Sequence, residues 1–375
     1  MIQFQQICKS FGKQRVLHEA TFVIRSGERV GVVGPNGAGK STIFELLTGN
    51  CMADSGTVGI PSALRIGHVR QQLNPHGTDD SLLDYAESAL PELYAIEQEI
   101  HGIEHRLAEG GAGDPSALRR LGDLQTAFEH LGGYELRARA EAILCGLGFD
   151  PAALGDPFRS FSGGWQIRAE LARVLVSEPD ILLLDEPTNY LDVIAVEWLY
   201  DFLRSFSGTL ALVSHDRYLL NRLTQITLEV SGGMVTRYVG NYEQYVATRE
   251  ERYRQLLAAK SNQDRKREKL EQFVERFRAK ATKASQAQSR MKMLDRFEEV
   301  HVPQIAIRAP RIVLPPPPRC GGEVVRLEDA GFSYDDTRWI FEKVSMRLDR
   351  GEKAAIVGLN GMGKTTLLRT LAGKL

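Results

Sequence analysis

Residues 34–42 carry the residue types of a phosphate-binding loop. They follow the apolar run 30–33 and precede a predicted helix, which is the strand–loop–helix order of such loops. Glycines let backbone N–H groups turn onto phosphates without a Cβ in the way, and the helix N-terminus adds partial positive charge. The sequence therefore predicts a nucleoside triphosphate site at Gly34, Pro35, Asn36, Gly37, Ala38, Gly39, Lys40, Ser41 and Thr42.

Two residues of this loop and two later carboxylates have the chemistry of triphosphate hydrolysis. We expect Lys40 to reach the β- and γ-phosphates and the Ser41 hydroxyl to ligate Mg²⁺. Asp185 and Glu186 follow an apolar run, and the end of a parallel strand would place both beside the loop. Asp185 is predicted to hold the hydration shell of Mg²⁺, and Glu186 to polarise the attacking water as general base.

The chain contains this loop twice. Residues 351–373 repeat residues 27–49 at an offset of 324, with 11 of 23 positions identical. Because the chain ends eleven residues after Lys364, we expect one complete nucleotide-binding unit, a connector and the opening of a second unit. The second loop is predicted to bind phosphate through Gly358, Asn360, Gly361, Gly363, Lys364, Thr365 and Thr366.

Composition excludes several other classes of protein. The net charge of −1 and the 43% hydrophobic and 25% charged residues are ordinary for a globular protein. The four cysteines form no C-x-x-C pair, so neither a zinc site nor a disulfide framework is predicted. The N-terminus does not resemble a signal peptide, and no apolar run approaches the roughly 18 residues of a membrane span. We therefore expect a soluble, cytoplasmic protein.

Hydrophobic patterning predicts three parts. The first, residues 1–241, has alternating strands, short buried strands and a helical insertion at 81–134. The second, residues 242–320, is charged and helical and ends in a proline-rich tether. A new strand pattern opens the third part, residues 321–375.

A Ser-Gly-Gly-Trp-Gln sequence starts at Ser162 and precedes a helix predicted over residues 167–176. A Ser-Gly-Gly at a helix start is ordinary N-cap chemistry and also offers unhindered amides to an anion. About twenty residues before an Asp-Glu strand end, it resembles the signature motif of ATP-binding cassette ATPases. The resemblance implies an α/β P-loop fold, with a mixed sheet, flanking helices, an antiparallel β subdomain and a helical subdomain. It also implies that ATP is sandwiched between the P-loop of one cassette and the signature of another, here Ser162, Gly163 and Gly164.

Further positions match the motifs of that family in order. Gln71 or Gln72 matches the Q-loop, and spacing favours Gln71 as a catalytic and Mg²⁺-associated residue. Asp192 resembles the D-loop aspartate. His215 resembles the switch histidine that contacts the γ-phosphate, although a lone histidine is more often structural. Phe11 is the candidate for stacking on adenine, with core packing as the alternative.

The connector is basic at its centre. Residues 249–300 contain fifteen basic and nine acidic side chains. Charge runs are usually solvated helix faces, whereas a basic tip with small residues on two long helices suits nucleic-acid phosphates. Residues 277–290, FRAKATKASQAQSR, resemble the interdomain linker of the ABC-F family, which implies a ribosome partner with contacts to rRNA and P-site tRNA. The insertion at 81–134 resembles the arm of that family. The predicted RNA-contacting residues are Arg276, Arg278, Lys280, Lys283, Arg290 and Lys292.

The chain departs from that family in one respect. The family has two full cassettes, and at an offset of 324 the second signature would fall near position 486. We therefore expect the chain to bind ATP and Mg²⁺ but to be a weak ATPase, unless two copies form a homodimer and share the Ser162 signature. The alternatives are a fragment that binds nucleotide or RNA with little ATPase activity, and the ATPase subunit of a transporter.

Overall fold

The computed structural model describes residues 1–61, 64–70, 79–108, 115–277, 313, 321–334 and 339–375. The strands in these ranges are β1 (Ile2–Phe11), β2 (Gln14–Ile24), β3 (Arg29–Val33), β4 (Ser55–Gly59), β5 (Ile66–Val69), β6 (Ile181–Asp185), β7 (Thr209–Val213), β8 (Ile226–Ser231), β9 (Met234–Val239), β10 (Glu323–Ser333) and β11 (Trp339–Asp349). The α-helices are α1 (Lys40–Leu47), α2 (Leu82–Glu87), α3 (Pro91–Ala108), α4 (Pro115–His130), α5 (Gly133–Gly146), α6 (Gly163–Val176), α7 (Val193–Ser205), α8 (Arg217–Leu223), α9 (Tyr242–Phe277) and α10 (Lys364–Leu371).

A six-stranded mixed sheet forms the centre of the first unit. Its strand order is β5-β6-β7-β3-β8-β9, and every pair is parallel except the terminal β8–β9 hairpin. Every residue of β6 and β7 is buried, as expected for apolar strands covered on both faces. Because the carboxyl ends of β3, β6 and β7 meet at one edge, that edge collects the phosphate loop, the Asp185–Glu186 pair and His215.

The predicted antiparallel subdomain is also present. β1 pairs with both β2 and β4, in the order β2-β1-β4. Alternating residues of β1 and β2 face a common core, where the Phe4 and Phe22 rings stack with their centroids 4.2 Å apart. These are the alternating strands that the sequence predicts for the first part of the chain.

Helices α2 to α6 form the helical subdomain, with the predicted insertion at 81–134 folded as α2, α3 and α4. α2 packs against α5 and α6, so the insertion meets the helix that carries the signature. The Tyr85 hydroxyl donates to Glu170 Oε2 at 2.6 Å, and Arg173 donates twice to the same carboxylate at 2.7 Å. Residues 109–114 of the insertion lie outside the described residues.

The connector begins with α9, a single helix of 36 residues. Its first turns are attached to the cassette through Glu229 of β8. That carboxylate accepts the Tyr238 and Tyr245 hydroxyls, each at 3.1 Å, and lies 2.7 Å from Arg249 Nε. At 1.5 Å rise per residue the helix spans about 54 Å, so its last turn is far from the central sheet. In the described ranges, no helix has both the length and the apolar character of a membrane span.

The second unit contains the β10–β11 hairpin, the second phosphate loop and α10. Residues 353–357 correspond to β3 at the offset of 324, yet they form no strand. Val33 in β3 is 8% exposed, whereas its counterpart Val357 is 81% exposed. The difference in exposure follows from strand pairing, because β3 is paired with β7 on one side and with β8 on the other.

Candidate nucleotide-binding and hydrolysis site

The first phosphate loop joins β3 to α1, as the sequence predicts. Gly34 has φ 157°, and a Cβ there would lie 2.2 Å from the Val230 carbonyl oxygen. Gly39 has φ 105°, and a Cβ there would lie 2.4 Å from Val16 Cγ1. Both positions require glycine for conformation and for space. The loop therefore presents its backbone at the N-terminus of α1, where N–H groups and the helix dipole favour an anion.

Lys40 and Ser41 are the first two residues of α1 and point to the edge where β6 ends. Lys40 Nζ donates to the Gly34 and Pro35 carbonyls at 3.0 and 3.1 Å, so it folds over the loop. The Ser41 hydroxyl donates to Asp185 Oδ2 at 2.5 Å. Hydroxyl and carboxylate oxygens are donors that Mg²⁺ accepts, so Ser41 and Asp185 fit a shared Mg²⁺ site. In the part of the chain that the structure describes, no group of three or more His, Cys, Asp and Glu forms a metal site.

Glu186 directly follows β6 and is 9% exposed. Its backbone has φ 52°, a left-handed conformation that is uncommon outside glycine, and its N–H donates to the Val213 carbonyl at 2.9 Å. The His215 backbone N–H donates to Glu186 Oε2 at 3.2 Å, and His215 Nε2 lies 3.5 Å from Oε1. Burial is the main cause that raises the pKa of the Glu186 carboxyl, although the contacts with His215 oppose the rise. A carboxylate with a raised pKa is better suited to take a proton from water.

The His215 side chain is itself 69% exposed, and it opens onto a cavity of about 180 Å³ beside the loop. Lys40 lines the cavity on the loop side, and Arg217 and Tyr242 line it on the side of α8 and α9. Tyr242 is the first residue of α9, and Arg217 lies over its ring at 5.8 Å from the centroid. The space next to the predicted γ-phosphate position therefore extends to the start of the connector helix.

The signature lies at the N-terminus of α6, as predicted from the Ser-Gly-Gly sequence. Ser162 is the N-cap residue, and Gly163 and Gly164 open the helix. The Ser162 side chain makes no capping hydrogen bond, so it does not occupy the first amides of α6. Ser162 and Gly163 are exposed. The helix N-terminus is thus accessible to an anion, and α6 itself begins four residues earlier than the predicted helix.

The second phosphate loop lies against residues 190–192 of the first unit, a segment that contains the predicted D-loop aspartate Asp192 and is called the D-loop below. Asn360 Nδ2 donates to the Tyr190 carbonyl at 3.0 Å, and the Asn360 N–H lies 3.4 Å from Asp192 Oδ2. Lys364 Nζ donates to the Gly358 and Leu359 carbonyls at 2.7 Å, in the manner of Lys40 in the first loop. The structure thus brings the second loop to the side of the first unit that also carries the signature.

The remaining predicted site residues are distributed as follows. Phe11 is 49% exposed, with Lys9 Nζ 5.3 Å from its ring centroid, so it is not part of the core. Thr42 and Thr366 are buried in the first turns of α1 and α10. Arg276 lies in the last turn of α9. Gln71 and five linker residues lie outside the described residues: Arg278, Lys280, Lys283, Arg290 and Lys292.

The sequence-based analysis missed Arg168, which the structure places next to the D-loop. It is 1% exposed, and its guanidinium donates to the Tyr190 and Leu147 carbonyls. A signal was present, because Arg168 shares the three-to-four-residue spacing of the apolar Leu171 and Leu175 and so falls on the buried face of α6. A charged residue at such a position indicates a buried, paired side chain.

Comparisons with known proteins agree with this geometry. A family model described as "ABC transporter" matches residues 17–189 and 341–375, and a second model with the same description matches residues 228–312. The ATP-binding protein YdiF of Bacillus subtilis is 35% identical over 99% of this chain and 58% of its own length. The ATP-binding cassette sub-family F member 3 of Rattus norvegicus is 33% identical over 100% of this chain and 52% of its own length.

The chain belongs to the ABC-F family of ATP-binding cassette proteins. It spans about half the length of these curated relatives. A solved dimeric ATP-binding cassette, in a post-hydrolysis state with ADP and Pi, is similar to 64% of this chain and 98% of its own, at 23% identity and a TM-score of 0.46. The family assignment confirms the predicted P-loop cassette fold, with its mixed sheet, antiparallel β subdomain and helical subdomain.

Proposed function

We propose that this ABC-F chain binds MgATP at both phosphate loops, hydrolyses ATP at the first, and acts on the ribosome in the cytoplasm. The observation that carries the ATPase part is the convergence of Ser41, Asp185, Glu186 and His215 on one edge of the sheet, beside Lys40. That set supplies Mg²⁺ ligands, a general base and a γ-phosphate contact within one site. Family membership and the basic connector support the ribosome part.

At the first site, the protein groups have separate roles. Lys40 and the N–H groups of the loop bind the β- and γ-phosphates, and Ser41 and Asp185 would hold Mg²⁺, which neutralises phosphate charge when bound. Glu186 accepts a proton from the attacking water, because its raised pKa favours the protonated product of that step. His215 holds the Glu186 carboxylate through its backbone N–H and presents an exposed imidazole to the cavity.

At the second site, the first unit provides the surface that faces the loop. Asn360 binds Tyr190 and Asp192 of the D-loop, and the signature amides of α6 belong to the same unit. An ATP bound by Lys364 would therefore be positioned to meet Ser162, Gly163 and Gly164 when the two units close. The first loop requires a signature from another cassette, and a homodimer is one way to supply it.

The ribosome part of the proposal follows from the shape and charge of the connector. α9 is attached to β8 through Glu229 and runs for about 54 Å, and the basic sequence follows its last residue, Phe277, along the chain. Phosphate backbones attract such basic segments, and RNA is recognised largely by shape and backbone. The insertion at 81–134, packed on the signature helix, is proposed as a second ribosome contact.

The test is sedimentation of the Glu186→Gln chain through a sucrose cushion with ribosomes, with ATP and with or without Mg²⁺. Losing the general base should keep ATP bound, so we expect ribosome binding that requires both ATP and Mg²⁺. Lys40→Ala in the same background should abolish it, while Lys280→Glu with Lys283→Glu should weaken it without changing ATP affinity. Absence of ATP-dependent pelleting with intact ATP binding would refute the ribosome assignment, and pelleting with membrane vesicles instead would favour a transporter role.

A further inference from the structure

The D-loop is held by one buried arginine of the signature helix. Arg168, five residues after Gly163 in α6, donates through Nε at 2.8 Å and Nη2 at 2.5 Å to the Tyr190 carbonyl. Its Nη1 donates to the Leu147 carbonyl at 3.0 Å, and its guanidinium carbon is 4.3 Å from the Trp165 ring centroid. A guanidinium donates in a fixed, planar fork, so these contacts determine where the carbonyl points.

The same carbonyl also receives the second phosphate loop. Tyr190 has φ 117°, a strained conformation for a residue with a side chain, and its carbonyl oxygen accepts both from Arg168 and from Asn360 Nδ2. Asp192 is the second shared partner, because its Oδ2 lies 3.7 Å from Arg168 Nη2 and 3.4 Å from the Asn360 N–H. Two acceptors of the D-loop are thus placed between Arg168 and the second loop.

Asn360 in turn is next to the lysine of the second loop. Its Oδ1 lies 3.3 Å from Lys364 Nζ, so the chain of contacts runs from α6 through the D-loop to the phosphate-binding amine. Asn36, the counterpart in the first loop, is exposed to solvent. The two phosphate loops therefore differ in this chain, and only the second is connected to the Arg168 contacts.

We propose that Arg168 is a positioning residue for the second nucleotide site. By holding the Tyr190 carbonyl in its strained orientation, it presents the acceptors that fix Asn360 and thereby the second phosphate loop beside the signature. The inference rests on the proposed nucleotide binding at Lys364. It predicts that a change at Arg168 affects nucleotide affinity at one loop and not at the other, whereas a general loss of folding would affect both.

The experiment measures the affinity of a fluorescent ATP analogue with Mg²⁺ at each loop separately. Lys40→Ala leaves the second loop as the binding site, and Lys364→Ala leaves the first. We expect Arg168→Met to weaken binding at least tenfold in the Lys40→Ala protein and less than twofold in the Lys364→Ala protein. Arg168→Lys should give an intermediate loss, because one amine cannot reproduce the fork. Arg173→Lys, on the same helix but bound to Glu170, is the matched control and should change neither affinity.

Equal losses at both loops, or no loss at the second, would overturn the inference. Absence of any nucleotide binding in Lys40→Ala with Arg168 intact would instead refute the proposed second site. A double-mutant cycle of Arg168→Met and Asn360→Ala, with the free energy of urea unfolding as the measured quantity, needs no nucleotide. It tests whether Arg168 and Asn360 are coupled through the D-loop. Non-additive effects are expected, and additive effects would show that Arg168 and Asn360 act independently.

Discussion

Glu87 is a buried carboxylate that the ATPase mechanism does not use. It is the last residue of α2 and is 1% exposed, and both of its carboxylate oxygens are buried without a hydrogen-bond partner among the described residues. Burial raises the pKa of this carboxyl to about 7, and the charge of Glu97 adds to the rise while Arg137 opposes it. The predicted consequence is that Glu87→Gln stabilises the protein above neutral pH.

The magnitude follows from the pKa difference between the folded and unfolded states. The change from 4.5 to about 7 corresponds to about 3 kcal/mol at 1.36 kcal/mol per pKa unit. The Glu87 carboxyl binds its proton more tightly in the folded state than in the unfolded state. The loss of folding stability caused by ionised Glu87 is therefore absent below pH 4.5, grows from there to about pH 7, and is constant above it. Glutamine has no charge to bury and should lack this dependence.

Urea unfolding from pH 4.5 to 8.5, followed by the fluorescence of Trp165 and Trp198 near the helical subdomain, measures the effect. The difference in unfolding free energy between Glu87→Gln and the native chain should change by about 3 kcal/mol in favour of the variant between these limits. Glu92→Gln, an exposed carboxylate on α3, is the control and should stay within about 0.5 kcal/mol at each pH. A difference that does not vary with pH would refute the reasoning and show that the ionised Glu87 carboxylate is compensated in the folded state, with Arg137 as the cation whose charge lowers its pKa.

Three further predictions concern the site and the connector. Glu186→Gln should lower the ATPase rate about 10²- to 10⁴-fold with ATP affinity within a few-fold of native, as measured by phosphate release and equilibrium binding; a rate within tenfold of native would exclude it as general base. Ser41→Ala should raise the Mg²⁺ concentration for half-maximal ATPase activity about tenfold or more, because Mg²⁺ would lose the hydroxyl oxygen ligand next to Asp185. An unchanged Mg²⁺ titration would contradict the shared site. Glu229→Ala should cost about 1 to 2 kcal/mol in urea unfolding, because the Tyr238 and Tyr245 hydroxyls and the half-buried Arg249 lose their shared partner. A loss below about 0.5 kcal/mol would show that Glu229 does not anchor the start of α9.

Much of the site could be predicted because its motifs are local. Each functional group lies at the end of a strand or the start of a helix, and strand and helix ends are recognisable from short patterns such as the loop at Gly34 and the Asp185–Glu186 pair. Parallel strands deliver their carboxyl ends to one edge, so the sequence order alone implied that Lys40 and Glu186 would lie close together. The buried strand patterns at β6 and β7 were equally informative.

The remaining features depend on tertiary partners that local sequence does not specify. Val33 and Val357 stand in nearly the same local sequence, yet one is buried and the other exposed, because within the described residues β3 is paired with β7 and β8 while residues 353–357 form no strand. The contact of Asn360 with the Tyr190 carbonyl involves a backbone acceptor that any residue type provides, so no pattern of side chains predicts it. The burial of Glu87 arises from the packing of α2 on α5 and α6, which periodicity within α2 cannot show.

The count of nucleotides bound per chain tests the central claim most directly. Equilibrium dialysis of the Glu186→Gln protein with labelled ATP and Mg²⁺ should give two bound ATP molecules, since each phosphate loop is proposed to bind one. Lys40→Ala and Lys364→Ala should each reduce the count to one. A single bound ATP that is unaffected by Lys364→Ala would contradict the two-site account.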